Sequence, residues 1–408
     1  MSWEDKELGE LTLYVKRGVS PKYVLENGIP IVNQRCIREN TINFDTARLS
    51  SKDKKITEVK FLQVGDTLIN STGVGTLGRT AYVKKLDQPS SADTHVTIVR
   101  PNKTIIDPKY LSLYLNAKED IIENMGKGAT GQTELSAKDL SSLNVFYPKS
   151  LQTQKRIADI LSAYDDLIEN NLKRIKLLEQ AAQNIYKEWF VNLRFPGNEN
   201  TPINEETGLP VGWEYGVVSD LCEVKSGYAF KSKQWKKKGN PVIKIKNINN
   251  NTVSLNDTGF VDDEVAQNAK KYELFSGDVI IAMTGATVGK VGLIPKIDKR
   301  IYLNQRVGLF RPLSEENNNI ALVFSFFLTD DSQQQVLNFA QGAAQPNISG
   351  SEIGNIKLNI ADSKVLSEFN KLTKPSIDLI QTLYGQNQKL KAARDILLPR
   401  LMNRTIEV

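Results

Sequence analysis

Histidine and cysteine are almost missing from this sequence. The single histidine, His95, excludes any multi-histidine metal site and most catalytic triads. Two cysteines, Cys36 and Cys222, sit in different halves of the chain and cannot build a disulfide framework or a zinc site. Both read as small buried residues. There is no Walker A motif, no H-E-x-x-H and no Cys-x-x-Cys, and the carboxylates are scattered rather than paired for acid–base work. No apolar run approaches the roughly 20 residues needed to cross a bilayer. The opening MSWEDKELGE has neither the basic nor the apolar region of a signal peptide. These absences lead us to expect a cytoplasmic, non-membrane, non-catalytic chain without a metal.

What is present is ordinary globular material. The chain has 408 residues, 40% hydrophobic and 25% charged, enough for two or three domains. Fifty-three basic against 47 acidic side chains give a net charge of +6, compatible with a polyanionic partner. No basic tail exists, so a nucleic-acid surface would have to be built by folding. The densest cluster is GYAFKSKQWKKK (227–238), with five lysines and three aromatics, which reads equally as a binding patch or a solvated hairpin tip.

The chain repeats itself with a period of about 210 residues, so the repeating unit is a domain. Trp3 and GELTLYVKRG (9–18) match Trp213 and SDLCEVKSG (219–227), and GIPIVNQRCIREN (28–40) matches GNPVIKIKNINNN (239–251). GDTLINSTGVGTLGR (65–79) matches GDVIIAMTGATVGK (277–290), and HVTIVRP (95–101) matches RVGLFRP (306–312). ELSAKDLSSLNVFYP (134–148) then matches NISGSEIGNIKLNI (347–360), and each half ends in a long helical segment. Within each half, short β-branched runs bounded by Gly, Pro and Asn predict strands, and DPKYLSLYLNAKEDIIENM predicts helix.

From Ile157 the apolar positions run Leu161, Tyr164, Ile168, Asn171, Ile175, Leu178, Ala182, Ile185 and Trp189, a heptad seam interrupted by one asparagine. A looser seam passes through Leu372, Leu379, Leu383, Leu390, Ala393 and Leu397, with Ser376 and Gln386 as polar interruptions. Asn171 and Gln386 are therefore the expected helix–helix register residues. Pro375 should start or kink the second helix. The layout is a domain over 1–150, a central helix over 151–192, an exposed linker over 193–212, a second domain over 213–362 and a distal helix over 363–408. The expected fold class is α+β: two homologous domains of mixed helices and short strands, joined by two long helices packed as an antiparallel intramolecular coiled coil with approximate twofold symmetry. An intermolecular coiled coil is the alternative.

Gly73, Gly75 and Gly78 carry the G-x-G-x-x-G spacing of a dinucleotide-binding turn. That motif needs a helix after the glycines, whereas RTAYVKKLD alternates like a strand, and the second copy does not keep the spacing. A tight turn between strands is the better reading. DPKY (107–110) is similar to the Asp-Pro-Pro-Tyr loop of amino-methyltransferases, but Lys109 replaces the second proline and Pro108 suits the first position of a helix.

Two similar domains held by a spacer suit recognition of a bipartite target, and DNA fits. Base edges call for Arg, Lys, Asn and Gln, with hydroxyl and basic groups on phosphates. The first half offers Asn33, Gln34, Arg35, Arg38, Thr72, Arg79, Thr94 and His95. The second offers Tyr228, Lys231, Lys233, Lys244, Lys246, Asn247, Thr284, Lys290, Asn304, Gln305 and Arg306. Each of these is equally the kind of side chain that any surface exposes. His95 reads as a core residue or a surface contact, and its counterpart Arg306 favours the contact.

GDVIIAMTGATVGKVGL (277–293), LNQRVGLFRP (303–312), IYKEWFVNLRFPG (185–197), LPVGWEYGVVSDLCEVKSG (209–227) and the closing LLPRLMNRTIEV, with the duplicated layout, resemble the specificity subunit of type I restriction–modification systems. The resemblance implies two target-recognition domains separated by helices acting as a ruler. It implies assembly on double-stranded DNA with two methyltransferase subunits, and with restriction subunits where these exist. S-adenosylmethionine, ATP and magnesium would belong to those partners, and no cofactor to this chain. Two other readings stay open: a coiled-coil scaffold with protein-binding ends, and a self-contained methyltransferase, for which no cofactor loop is found.

Overall fold

The computed structural model describes residues 2–38, 40–128, 133–340 and 346–408. The chain forms two units, Met1–Asp166 with Lys391–Val408, and Leu167–Leu390. In the first, β1 (Thr12–Arg17), β2 (Thr67–Asn70), β3 (Thr80–Tyr82) and β4 (Val96–Pro101) make an antiparallel sheet in the order β1-β4-β2-β3. The central strands β2 and β4 are buried along their whole length, so their sequences lack the alternation of a half-exposed strand. A second sheet orders Ser91–Ala92, Ile29–Val32, Arg48–Ser50 and Tyr23–Val24. Asp107 caps the helix Pro108–Ala117 by accepting from the amides of Lys109 and Tyr110, with Pro108 in its first turn. Its Tyr110, Leu111 and Leu115 enter the core with Leu8, Leu11 and Val99.

The second unit repeats this order. Strands β5 (Cys222–Ser226), β6 (Val279–Ala282), β7 (Val291–Leu293) and β8 (Val307–Pro312) run β5-β8-β6-β7, again antiparallel, with Thr252–Val253 and Ile248–Asn249 extending the edge. Its other sheet orders Gly259–Val261, Asn240–Ile243, Ile301–Leu303 and Glu273–Leu274.

The duplicated motifs are the joints of this frame. In the first unit, Asp66 of Gly-Asp receives both Nε and Nη2 of Arg100 at 2.8 Å, and the same guanidinium donates to the carbonyls of Val59 and Phe61. In the second, Arg311 Nη1 donates to Asp278 at 2.7 Å and Nη2 to the carbonyl of Glu273. The Gly-Asp that opens one central strand is thus clasped to the Arg-Pro that closes its neighbour. Gly18 and Gly227 end β1 and β5, where the backbone passes so close that a Cβ would lie 1.9 Å from the Ala92 carbonyl oxygen or 2.4 Å from that of Leu303. The glycine-rich stretch is a turn, with Gly73, Gly75 and Gly78 at φ of 99°, 69° and 88°. Gly285 and Gly289 do the same between β6 and β7.

Both long helices form. The central helix spans Leu151–Tyr186 and ends in a π-type turn, Lys187–Val191. The seam from Ile157 to Trp189 is buried or half-buried at every position. Tyr186 and Phe190 are buried as well, stacking on each other and meeting Phe369 edge-on. The distal helix spans Ser363–Met402, its first amides capped by Asp362. In the second unit Asn171 meets Asn387 and Glu179 meets Tyr384. In the first, Asp165 pairs with Arg394. Partner numbers fall as those of the central helix rise, so the helices run antiparallel.

Four expectations need correction. The distal helix begins at Ser363 and continues through Pro375, so the proline does not start it. The distal seam departs from the leucine row by one residue over much of its length: Val365, Phe369, Thr373, Ile377, Ile380, Tyr384 and Asn387 are buried, Leu383 of the row is buried beside them, and Leu372 is 51% exposed. Gln386 is consequently exposed, and its neighbour Asn387 faces Asn171. The 193–212 stretch is mostly exposed but anchored, because Phe195 and Leu209 are buried beside Trp213.

Candidate nucleic-acid interface

The turn before β4 and the turn before β8 are built alike. Asp93 Oδ1 accepts from the His95 amide at 2.8 Å, and Asn304 Oδ1 accepts from the Arg306 amide at 3.3 Å. The following amides, Val96 and Val307, return to the carbonyls of Asp93 and Asn304. Each turn also carries the strap leading into its glycine turn, since the amides of Ser71 and Met283 donate to the carbonyls of His95 and Arg306. His95 and Arg306 therefore occupy equivalent, exposed positions. Side-chain caps at Asp93 and Asn304 hold the backbone there.

In the first unit three of the expected residues converge. The Gln34 amide nitrogen donates to the hydroxyl and to the carbonyl of Thr72, and the Thr72 hydroxyl lies 2.9 Å from Nδ1 of His95. Asn33 caps the short turn Gln34–Cys36 by accepting from the Arg35 amide at 2.9 Å, leaving Arg35 exposed. Thr94 is half-buried between Asp93 and His95. Arg38 and Arg79 do not join that cluster. With Asn40 and Glu119 they line a separate open cavity of about 450 Å³. Burial raises the Glu119 carboxyl above its usual range, against the opposing field of Arg79.

The second unit distributes its expected residues differently. Asn247 is 2% exposed and structural: its side chain accepts from the Lys244 amide and donates to the Asn256 carbonyl. It occupies the place of Cys36, and a buried cap cannot reach a base. Asn304 is likewise nearly buried as the turn cap. The Lys244 ammonium lies 3.5 Å from the Trp235 ring centroid, and burial followed by the field of Lys246 lowers its pKa. Lys246 pairs with the exposed Asp257. Tyr228 packs edge-on against Phe230, and with Trp235 these aromatics form a small core rather than a hairpin tip. Lys231, Lys233, Lys290, Gln305 and Arg306 are exposed, and Thr284 is half-buried, bridging Asn347. Sequence reading missed Asp93 as the cap of the His95 turn, Asn40 and Glu119 beside the arginines, and Trp235 as the platform under Lys244. The Asp-x-His and Asn-x-Arg spacing was the available signal for the first.

Among the described residues no group of three or more His, Cys, Asp or Glu side chains could hold a metal ion, and no helix is long and apolar enough to cross a membrane. The exposed polar atoms of the two turns are of the kind that contact a polyanion.

The profile described as the type I restriction modification DNA specificity domain matches residues 1–180 and 210–384. The chain is 25% identical to the type I restriction enzyme MjaVIII specificity subunit of Methanocaldococcus jannaschii, over 100% of this chain and 93% of that one. It is 22% identical to the type I restriction enzyme HindI specificity subunit of Haemophilus influenzae, over 98% and 99% of the two chains. In fold it is similar to the crystal structure of the type I restriction–modification system S subunit from M. genitalium. The TM-score is 0.59 at 16% identity, covering 98% of this chain and 96% of that one. Matched in both of its repeats, the chain belongs to the type I restriction–modification DNA specificity family.

Proposed function

We propose that this chain is the sequence-reading subunit of a type I restriction–modification complex, each unit reading one half of a split DNA site. The observation that carries the reading is one frame built twice with different exposed side chains on equivalent turns, His95 in the first and Arg306 in the second. Equal frames place both turns in the same manner toward a duplex, and unequal side chains make the two half-sites differ. The long antiparallel helices are assigned the spacing between the half-sites and the docking of two methyltransferase subunits. Restriction subunits join where they exist. On this reading the chain performs no chemistry, and S-adenosylmethionine, ATP and magnesium are bound by the partners.

The test is the adenine-methylation map of DNA from cells co-expressing this chain with a type I methyltransferase subunit from the same host. A split asymmetric motif, with about 6–8 unspecified central bases so that both units meet successive major grooves, is the expected result. A stable complex with an active methyltransferase that leaves no sequence-specific mark would refute the proposal.

A further inference from the structure

The contacts of His95 define more than its position. The Gln34 side-chain amide meets both the hydroxyl and the carbonyl oxygen of Thr72. A carbonyl oxygen can only accept, so the atom facing it is the amide nitrogen, and the orientation of Gln34 is determined. The Thr72 hydroxyl accepts from that nitrogen, and its own proton is available to Nδ1 of His95, 2.9 Å away. A neutral imidazole that accepts at Nδ1 carries its proton on Nε2. Below the ring, the Asp93 cap and the bond from the Ser71 amide to the His95 carbonyl hold the backbone. With the Thr72 proton directed to Nδ1, the relay Gln34–Thr72–His95 ends in an oriented N–H donor on an exposed side chain.

We infer that His95 takes the Nε2–H tautomer and is a specificity-determining residue of the first unit, presenting Nε2–H to N7 of a guanine in the major groove, with Thr72 and Gln34 as its positioning residues. This rests on the reading of the chain as a DNA-reading subunit. Guanine is the base whose major-groove edge offers two adjacent acceptors, whereas cytosine offers an amino donor, adenine places one beside its N7, and thymine sets a methyl group beside its single O4 acceptor. An outward donor therefore favours guanine and disfavours cytosine. Arg306, at the equivalent turn of the second unit, is a pure donor, but among the described residues no comparable relay orients it.

The experiment uses the full chain in complex with its methyltransferase subunit and synthetic duplexes carrying the site mapped by methylation. Guanines in both half-sites are replaced one at a time by 7-deazaguanine, and competition binding is measured. The wild-type complex should lose roughly five- to tenfold in affinity at one guanine of one half-site, about the worth of one hydrogen bond to a base. His95→Ala should bind the unmodified duplex that much more weakly and become indifferent to substitution at that guanine alone. Thr72→Val should blunt the discrimination at the same guanine, and Thr72→Ser should restore it. Unchanged discrimination in the other half-site shows that each variant is folded.

Uniform weakening of His95→Ala on every duplex with a shallower salt dependence means a phosphate contact and overturns the inference, as does wild-type behaviour of His95→Ala. A half-site without guanine overturns it equally. Absence of any sequence preference in the wild-type complex is a different failure, that of the DNA-reading proposal itself.

Discussion

Replacing the arginine of each clasp by methionine should damage the two units unequally. Arg100 and Asp66 are 8% and 1% exposed, and the guanidinium makes two bonds to the carboxylate and two to carbonyls. Arg100→Met keeps the apolar stem but leaves a carboxylate and two carbonyls without that donor. Removing one partner of a buried pair costs about 3–5 kcal/mol. Arg311 and Asp278 are 26% and 12% exposed, with one bond to the carboxylate and one to a carbonyl. Water can reach the vacated site, so Arg311→Met should cost about 1.5–3 kcal/mol, the worth of a charge-assisted hydrogen bond. Native-state hydrogen exchange resolves the units separately. The slowest amides of β2 and β4 should exchange on the order of a hundredfold faster or more in Arg100→Met, since each 1.4 kcal/mol is about tenfold. Those of β6 and β8 should accelerate by about one to two decades in Arg311→Met, and neither variant should alter the other unit. Equal acceleration by the two variants, or less than about fivefold in Arg100→Met, would refute the clasp as the stronger joint.

Asn387→Leu, which strands the Asn171 amide inside the helix pair, should destabilise the second unit by about 1–3 kcal/mol. Pairing it with Asn171→Leu should restore or exceed wild-type stability, read as melting temperature. Gly227→Ala forces a methyl against the Leu303 carbonyl and should cost about 1–3 kcal/mol in urea unfolding, whereas Gly354→Ala, whose Cβ would come no closer than 3.4 Å to Ser219, should cost less. Glu179, bonded to Asn251 and Tyr384, is raised by burial above the ordinary glutamate value of 4.5. A carboxyl raised on folding favours the folded state most when protonated, so its contribution is present below about pH 4.5 and is lost as pH rises through the higher folded value. Glu179→Gln should therefore gain on the wild type as pH rises from that point to neutrality, measured by denaturation at several pH values. No change in their difference across that window would contradict the assignment.

Much of this architecture is legible because it occurs twice. The Gly-Asp and Arg-Pro pairs stand out as duplicated, but their pairing does not, since Asp66 and Arg100 meet only when β2 and β4 become neighbours. The glycine turns are readable from the strand after each of them, because a phosphate site needs a helix there. The distal seam departs by one residue from most of the leucine row because leucine alone does not fill it. The buried line uses an aromatic at Phe369, a threonine that returns its hydroxyl to the Phe369 carbonyl, and an asparagine paired across the helices. Asn247 and Asn304 lie in polar stretches that resemble a reading surface, and only their burial reveals them as caps. The Gln34–Thr72–His95 relay joins three distant stretches, so its members can be named from sequence but not its direction.

The clasp also divides each domain into positions that tolerate change and positions that do not. Exposed substitutions away from caps and packed cores usually alter stability by no more than about 0.5 kcal/mol, so Arg35, Lys290, Gln305 and Arg306 can be exchanged freely as far as folding is concerned. Asp66, Arg100, Gly18 and their counterparts Asp278, Arg311 and Gly227 cannot. A combinatorial library confined to the exposed turns, with caps and clasps held constant, would keep nearly all its members folded. Selection on such a library would then act on target preference alone.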